Sequence, residues 1–126
     1  WQILVKSNLR EAKMAEADWT DEFPGAIIVT DLEGKIIYLN NKAALVYEAE
    51  GGFELLGRNL YDCHQPESKA KIARIMESKK PNVYTIEKQG IKKLIYQTTW
   101  SLEGRPGGLV EISLEIPFEL PHFIRG

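Results

Sequence analysis

The chain is 126 residues long, 44% of them hydrophobic, with 16 Lys and Arg against 18 Asp and Glu and a net charge of −2. These values fit one globular domain with a single core. The slightly acidic balance argues against a nucleic-acid or acidic-membrane surface, which usually needs a basic excess. The apolar runs are too short to cross a membrane, and no signal-peptide pattern is visible. The single cysteine, Cys63, fits a reducing compartment, so we expect a cytoplasmic protein.

The first segment, residues 1–19, lacks glycine and proline and predicts an amphipathic helix. Its apolar stripe is loose, and Asn8 interrupts it where a coiled-coil seam requires a hydrophobic residue. The stripe consists of Ile3, Leu4, Val5, Leu9, Ala12 and Ala15. The Phe23-Pro24-Gly25 triplet ends this segment and leads into the first strand.

The stretch TDLEGKIIYLNNKA, residues 30–43, predicts a hairpin followed by a helix. A β-branched run ends at Asp31, and Gly34 can take the left-handed conformation that the tight turn demands. The returning strand KIIYLN comes next. Asn40 or Asn41 then caps the helix over residues 41–49 by accepting a hydrogen bond from a backbone N–H that lacks a helical partner.

The middle of the chain, residues 51–62, is punctuated by glycines and predicts short helical turns. A longer helix is predicted over residues 66–80, starting at Pro66 and stopped by Pro81. Two strands joined at Gln89-Gly90 follow, and we expect a second turn over residues 103–108 (EGRPGG).

The last strand, LVEISLEI, alternates between an apolar and a polar face. Val110, Ile112, Leu114 and Ile116 occupy the first, and Glu111, Ser113 and Glu115 the second. The element order is two strands, several helices and three strands, which favours an α+β domain with an antiparallel sheet. We expect an N-terminal helix at residues 1–19, a domain at 20–116 and a tail at 117–126.

The order and spacing of these motifs resemble those of a PAS domain, the sensory box of signalling proteins. The most specific element is the D-x-x-G-x-I-x-x-x-N pattern, which begins at Asp31 and ends at Asn40. The resemblance covers about residues 20–116. It implies a five-stranded antiparallel sheet with flanking helices around a small cavity. Such modules bind a ligand or dimerise, and they pass the change to a neighbour.

The chain departs from the family at its C-terminal end. Many PAS domains close with a D-I-T triplet that starts an output helix, whereas this sequence continues with Pro117 and Pro121. Two prolines four residues apart cannot carry a straight helix out of the sheet. The domain is therefore expected either to stand alone or to communicate through residues 1–18.

The resemblance leaves the cofactor unknown. Flavin-binding PAS photoreceptors carry a reactive cysteine where this chain has Leu60, so we expect no flavin–cysteinyl adduct. The helix over residues 66–80 lacks the histidine that haem-binding members use, and neither His64 nor His122 is a convincing axial ligand. A coumaroyl chromophore needs a linked cysteine with a Tyr and a Glu beside it. Leu39 and Ala43 occupy the approximate positions of that Tyr and Glu, so we do not expect this chromophore either.

No catalytic or metal-binding constellation is visible in the sequence. Cys63 and His64 are adjacent, and adjacent side chains on a turn or helix point apart, which is a poor arrangement for a nucleophile and its base. Two histidines and one cysteine do not give a metal-ligand spacing. We therefore expect neither an enzyme nor a metalloprotein.

Two functions remain open. The first is a sensory module whose cavity orients a small cytosolic molecule through buried donors and acceptors. The predicted lining residues are Tyr38, Tyr47, Met76, Tyr84, Gln97 and Ile112. The second is a ligand-free homodimerisation domain with a filled core, in which the tyrosines only pack. In either case the expected partners are a second copy or a small molecule, not nucleic acid or membrane.

Overall fold

The computed structural model describes residues 18–60 and 66–126 of the chain. In these residues five strands are formed, β1 (Ala26–Thr30), β2 (Ile36–Leu39), β3 (Asn82–Lys88), β4 (Ile91–Leu102) and β5 (Arg105–Ile116). The α-helices described are α1 (Asn41–Val46) and α2 (Pro66–Ser78), and single 3-10 turns occupy Asp18–Thr20, Glu48–Glu50 and Gly52–Leu55. Residues 1–17, where the sequence predicts the N-terminal helix, lie outside the described residues.

The five strands form one antiparallel sheet in the order β2-β1-β5-β4-β3. This confirms the α+β class and the five-stranded sheet predicted from the sequence. The β1–β2 hairpin and the β3–β4–β5 meander meet where β1 pairs with β5, so the last strand occupies the centre of the sheet. The residues of β5 therefore have a neighbouring strand on each side, β1 on one and β4 on the other.

The β1–β2 turn is held by Asp31 and Gly34. The Asp31 carboxylate accepts the backbone N–H groups of Glu33 and Lys35, both at 2.9 Å. Gly34 has φ 87°, a left-handed conformation that a residue with a Cβ adopts only at a cost. The turn has the chemistry expected from the sequence.

Of the two candidate caps, Asn40 is the one that caps α1. Its side-chain oxygen accepts the N–H of Ala43 at 3.0 Å and that of Ile27 at 2.9 Å. Its amide donates to the carbonyls of Thr20 and Gly25 at 2.9 and 2.8 Å. One fully buried side chain thus ties the helix start to β1 and to the chain that enters it.

The core lies between the helices and one face of the sheet, called here the inner face. Ile28, Leu39, Leu109 and Ile95 extend from the sheet, and Leu55, Leu60, Ile72 and Ile75 close over them. The opposite, outer face carries a half-buried apolar row on β5. This row consists of Val110, Ile112, Leu114 and Ile116.

The predicted turn over residues 103–108 is wrong in length. The turn is made by Glu103 and Gly104, and β5 already starts at Arg105. The glycines further on serve packing, because the Trp100 ring occupies the space that a Cβ at Gly107 would need. From there the indole N–H of Trp100 donates to the Thr30 carbonyl at 2.8 Å.

Candidate functional site

Three polar side chains cross the inner face of the sheet, and we call them the polar row: Asn82, Gln97 and Glu111. The strand register places Asn82 opposite Gln97 and Gln97 opposite Glu111. The Asn82 amide donates to Gln97 Oε1 at 2.8 Å, and Gln97 Nε2 donates to Glu111 Oε1 at 2.6 Å. In the next strand pair Glu111 lies opposite Ile28 of β1, so the polar row ends in the middle of the inner face.

Glu111 forms part of the wall of a partly open cavity of about 110 Å³. Four aliphatic side chains line most of it, and a tyrosine and two carboxylates supply the polar groups. The lining residues are Ile28, Ile36, Tyr47, Glu50, Leu55, Leu60 and Glu111. An apolar cavity with a few convergent polar groups is the usual form of a small-molecule site.

Tyr47 is the hydrogen-bond donor of this cavity. Burial raises the pKa of its hydroxyl well above the ordinary value, and the negative charge of Glu111 raises the pKa further. The hydroxyl lies close enough to the Glu111 carboxylate for the two groups to interact. Because its proton is held at neutral pH, Tyr47 presents an O–H and not a second negative charge.

Tyr84 lies on the same face, two residues along β3 from Asn82, the cross-strand partner of Gln97. Partial burial raises the pKa of its hydroxyl, and the charge of Glu111 acts in the same direction. The negative charge of Glu111 therefore raises the pKa of two tyrosine hydroxyls, those of Tyr47 and Tyr84.

The described lining residues include no Lys or Arg. The ion pair observed in the described part of the chain joins Lys42 to Glu115 at 3.6 Å, away from the cavity wall. Glu111 is thus held by the hydrogen bond from Gln97, with the Tyr47 hydroxyl nearby, and not by a cation among these residues.

The structure brings together three of the six side chains predicted from the sequence to bind ligand. Tyr47 lines the cavity, Gln97 belongs to the polar row and Tyr84 lies beside it. Met76 packs against the core from α2 but is not part of the cavity wall.

The other two, Tyr38 and Ile112, lie on the outer face. Tyr38 is paired with Val29, donates its hydroxyl to Asp21 at 2.6 Å and lies 3.2 Å from the Thr20 hydroxyl. Ile112 belongs to the apolar row of β5 and lies next to Glu111 in the chain, with its side chain on the opposite face of the sheet.

Glu111 is the residue that sequence reasoning missed. The alternation of β5 was recognised, but the predicted lining took Ile112 from its apolar face and no residue from its polar face. A signal was present in the neighbouring strand: Gln97 interrupts a run suited to burial, and a polar residue there requires a partner on an adjacent strand.

The structure also bears on the cofactor expectations. Leu60, which stands at the position of the photoreactive cysteine, is buried and lines the cavity. His122 is exposed in the tail, and Cys63 and His64 lie outside the described residues. Over residues 18–60 and 66–126 no group of three or more His, Cys, Asp or Glu side chains is arranged to hold a metal ion. In the same ranges no helix is both long and apolar enough to span a membrane.

Comparisons with known proteins agree with this architecture. A family model described as the PAS fold matches residues 20–81. No curated protein is detectably similar to the chain in sequence.

Among solved structures, the C-terminal domain of a Streptococcus mutans protein is similar to the chain, with 17% identity, a TM-score of 0.63 and coverage of 76% of this chain and 78% of that one. A sensory box sensor histidine kinase from Vibrio cholerae has 13% identity, a TM-score of 0.56 and coverage of 90% and 98%. The PAS domain of an HTR-like protein from Haloarcula marismortui has 19% identity, a TM-score of 0.56 and coverage of 88% and 97%. With this sheet order and the match of residues 20–81 to the PAS family model, the chain has the PAS fold.

Proposed function

We propose that this PAS domain is a sensory module that binds a small molecule in the cavity beside Glu111. The observation that carries the proposal is that Tyr47 and Glu111, the second held by Gln97, converge on a space lined mostly by aliphatic side chains. Burying polar groups is costly unless they are paired. A binding site explains why this part of the core keeps a carboxylate where an aliphatic residue would pack more favourably.

The signal would travel through β5. Glu111 faces the cavity, while Val110 and Ile112, its chain neighbours, face outward. A ligand that changes the hydrogen bonds of Glu111 shifts the backbone of the central strand. That shift alters the apolar row on the outer face, where a partner would bind. A sensory role is supported by the family and by the resemblance in fold to a sensor histidine kinase domain.

Native mass spectrometry of the gently purified protein tests ligand binding. We expect a mass excess that disappears on denaturation, and its loss from a Leu55→Phe variant, in which the larger ring fills the cavity. Leu56→Phe is the matched control, because Leu56 is exposed and does not line the cavity. Wild-type protein without any bound molecule, even after incubation with cell extract, would contradict the proposal.

A second candidate is the homodimerisation domain. The observation that favours it is the half-buried apolar row of Val110, Ile112, Leu114 and Ile116, because a contiguous apolar surface is where a partner tends to bind. In that case a Leu55→Phe variant keeps the dimer and any regulatory effect, whereas a charge on the apolar row removes both. The two functions are compatible, since a sensor of this kind can also dimerise.

The remaining assignments belong to the same proposal. We propose a domain over residues 20–116 with a tail at 117–126, a cytoplasmic location and a non-catalytic role. The single cysteine supports the location, and the family, whose members act as sensors, supports the role.

A further inference from the structure

The charge of the cavity wall restricts the kind of molecule that fits. Glu111 contributes a carboxylate and Glu50 a second one, while the described lining residues offer no Lys or Arg. The other polar group, the Tyr47 hydroxyl, lies close to the Glu111 carboxylate. An anionic molecule entering this space would meet like charge without a compensating cation from these residues.

Glu111 retains the capacity to accept further hydrogen bonds. A carboxylate has about four acceptor sites, and Gln97 Nε2 donates to one of them, on Oε1. Gln97 is itself fixed by Asn82, so the carboxylate is held in one orientation by the polar row. A fixed carboxylate with free acceptor positions favours a charged donor, because charge-assisted hydrogen bonds are the strong ones.

The rest of the wall restricts size and polarity. Ile28, Ile36, Leu55 and Leu60 form an aliphatic surface, so the remainder of the ligand must be apolar. The cavity measures about 110 Å³, whereas a dry cavity of about 150 Å³ holds benzene. The space therefore suits a short alkyl group and not a nucleotide, flavin or haem.

We infer that the ligand is a small organic ammonium compound, a protonated amine bound by Glu111 with a short alkyl group against the aliphatic wall. The inference rests on the proposed function, because it names the chemical class of the molecule that the cavity takes. It adds that recognition is electrostatic and depends on one carboxylate of the central strand.

The test uses three probes of similar size and different charge: n-butylammonium, 1-butanol and butyrate. Binding is followed at neutral pH through the amide NMR signals of the residues around the cavity. We expect butylammonium to bind about tenfold more tightly than butanol, and butyrate not to bind. Equal binding of butylammonium and butanol, or a preference for butyrate, would overturn the inference.

Variants locate the effect. Glu111→Gln keeps an oxygen that can accept from Gln97, and we expect it to lower the affinity for butylammonium about tenfold while changing that for butanol little. Glu115→Gln is the matched control, since it removes the same charge from the same strand at a half-exposed position paired with Lys42. Leu55→Phe should abolish butylammonium binding with the carboxylate intact.

The outcomes separate this inference from the proposed function. If butanol binds in the cavity and Glu111→Gln leaves the order of the probes unchanged, a ligand site exists but Glu111 does not set its preference, and the inference is wrong. If Glu115→Gln weakens binding as much as Glu111→Gln, the cation is attracted by surface charge and the inference is wrong. If butylammonium does not shift the cavity signals of a well-dispersed wild-type spectrum, the inference fails, and the native mass measurement alone decides whether the cavity takes another molecule.

Discussion

Gln97 on β4 donates a 2.6 Å hydrogen bond to Glu111 on β5, across the face of the sheet that carries the core. A strand with one buried face usually directs its apolar residues toward the core. At the centre of this sheet β5 does the reverse: Glu111 faces inward, and Val110 and Ile112 face outward. The reversal leaves a carboxylate on the inner face of β5 and an apolar row on its outer face.

The raised pKa of Tyr47 predicts a specific loss of stability in alkali. A tyrosine whose folded pKa lies above its unfolded value of 10.0 stabilises the fold fully below that pH. This stability is lost as the pH rises further, because the unfolded chain releases the proton first. Denaturant unfolding of wild type should therefore show the free energy of unfolding falling between about pH 10 and about pH 11.5.

A Tyr47→Phe variant provides the comparison. It has no hydroxyl to ionise, so its free energy of unfolding should fall less steeply with pH than that of wild type. Other groups that titrate in alkali are shared by the two proteins and cancel in the difference. Parallel curves for wild type and Tyr47→Phe would show that the hydroxyl is not held in a buried, negatively charged environment.

Asn40→Ala should be among the most destabilising single substitutions in the domain. It removes the acceptor of two buried N–H groups and the donor to the Thr20 and Gly25 carbonyls. We expect a loss of about 3 kcal/mol or more in the free energy of unfolding. Asn41→Ala, at the neighbouring exposed position, is the control and should cost less than about 0.5 kcal/mol. Equal losses for Asn40→Ala and Asn41→Ala would show that Asn40 is not the capping residue.

Gly34→Val tests the β1–β2 turn. A β-branched residue at φ 87° is strained, and we expect a loss of about 1 kcal/mol or more. Glu33→Val introduces the same side chain at an exposed position of the same turn, which lacks a positive φ. The melting temperature should drop for Gly34→Val and stay close to wild type for Glu33→Val; an unchanged value for Gly34→Val contradicts the turn.

The hairpin and its cap were predictable because their signals are local. Asp31, Gly34 and Asn40 act within a few residues of their own position, through turn geometry and capping. The turn before β5 was harder to predict. The glycines at 107 and 108 resemble a loop in the sequence, and only the structure shows the ring of Trp100 packed against Gly107.

The site was only partly predictable, because alternation along a strand gives two faces but does not say which of them is inside. For β5 the apolar face was taken as the lining, and Ile112 with it, whereas the register with β1 and β4 directs Glu111 inward. Tyr38 was misplaced for a related reason. An irregularity in the β1–β2 register between Val29 and Thr30 allows both Ile36 and Leu39 to be buried while Tyr38 faces outward.

The purified protein should be colourless above the aromatic absorption band. Leu60 has no thiol to form a flavin adduct, and a cavity of about 110 Å³ is far smaller than a flavin or haem requires. An absorption spectrum of the protein expressed in a haem- and flavin-sufficient host provides the measurement. A Soret band, or flavin fluorescence released on denaturation, would contradict this expectation.

The last prediction is that the protein forms a homodimer through the outer face of the sheet. Val110, Ile112 and Leu114 are half-buried there, and Leu94 and Tyr96 of β4 continue the apolar surface. A second copy offers the same surface and gives a two-fold contact that covers both. Sedimentation at micromolar concentration should show a dimer for the intact chain.

Two comparisons identify what holds the dimer. Ile112→Lys places an ammonium in the centre of the contact and should give a monomer, because burying an unpaired charge costs more than the apolar contact contributes. Leu102→Lys, at a far more exposed apolar position near the β4–β5 turn, should remain dimeric. A chain beginning at Trp19 tests the contribution of the residues before it: if it is monomeric, those residues hold the dimer together with the sheet. A monomeric intact chain would refute the dimer, and a dimeric Ile112→Lys variant would exclude the outer face as its contact.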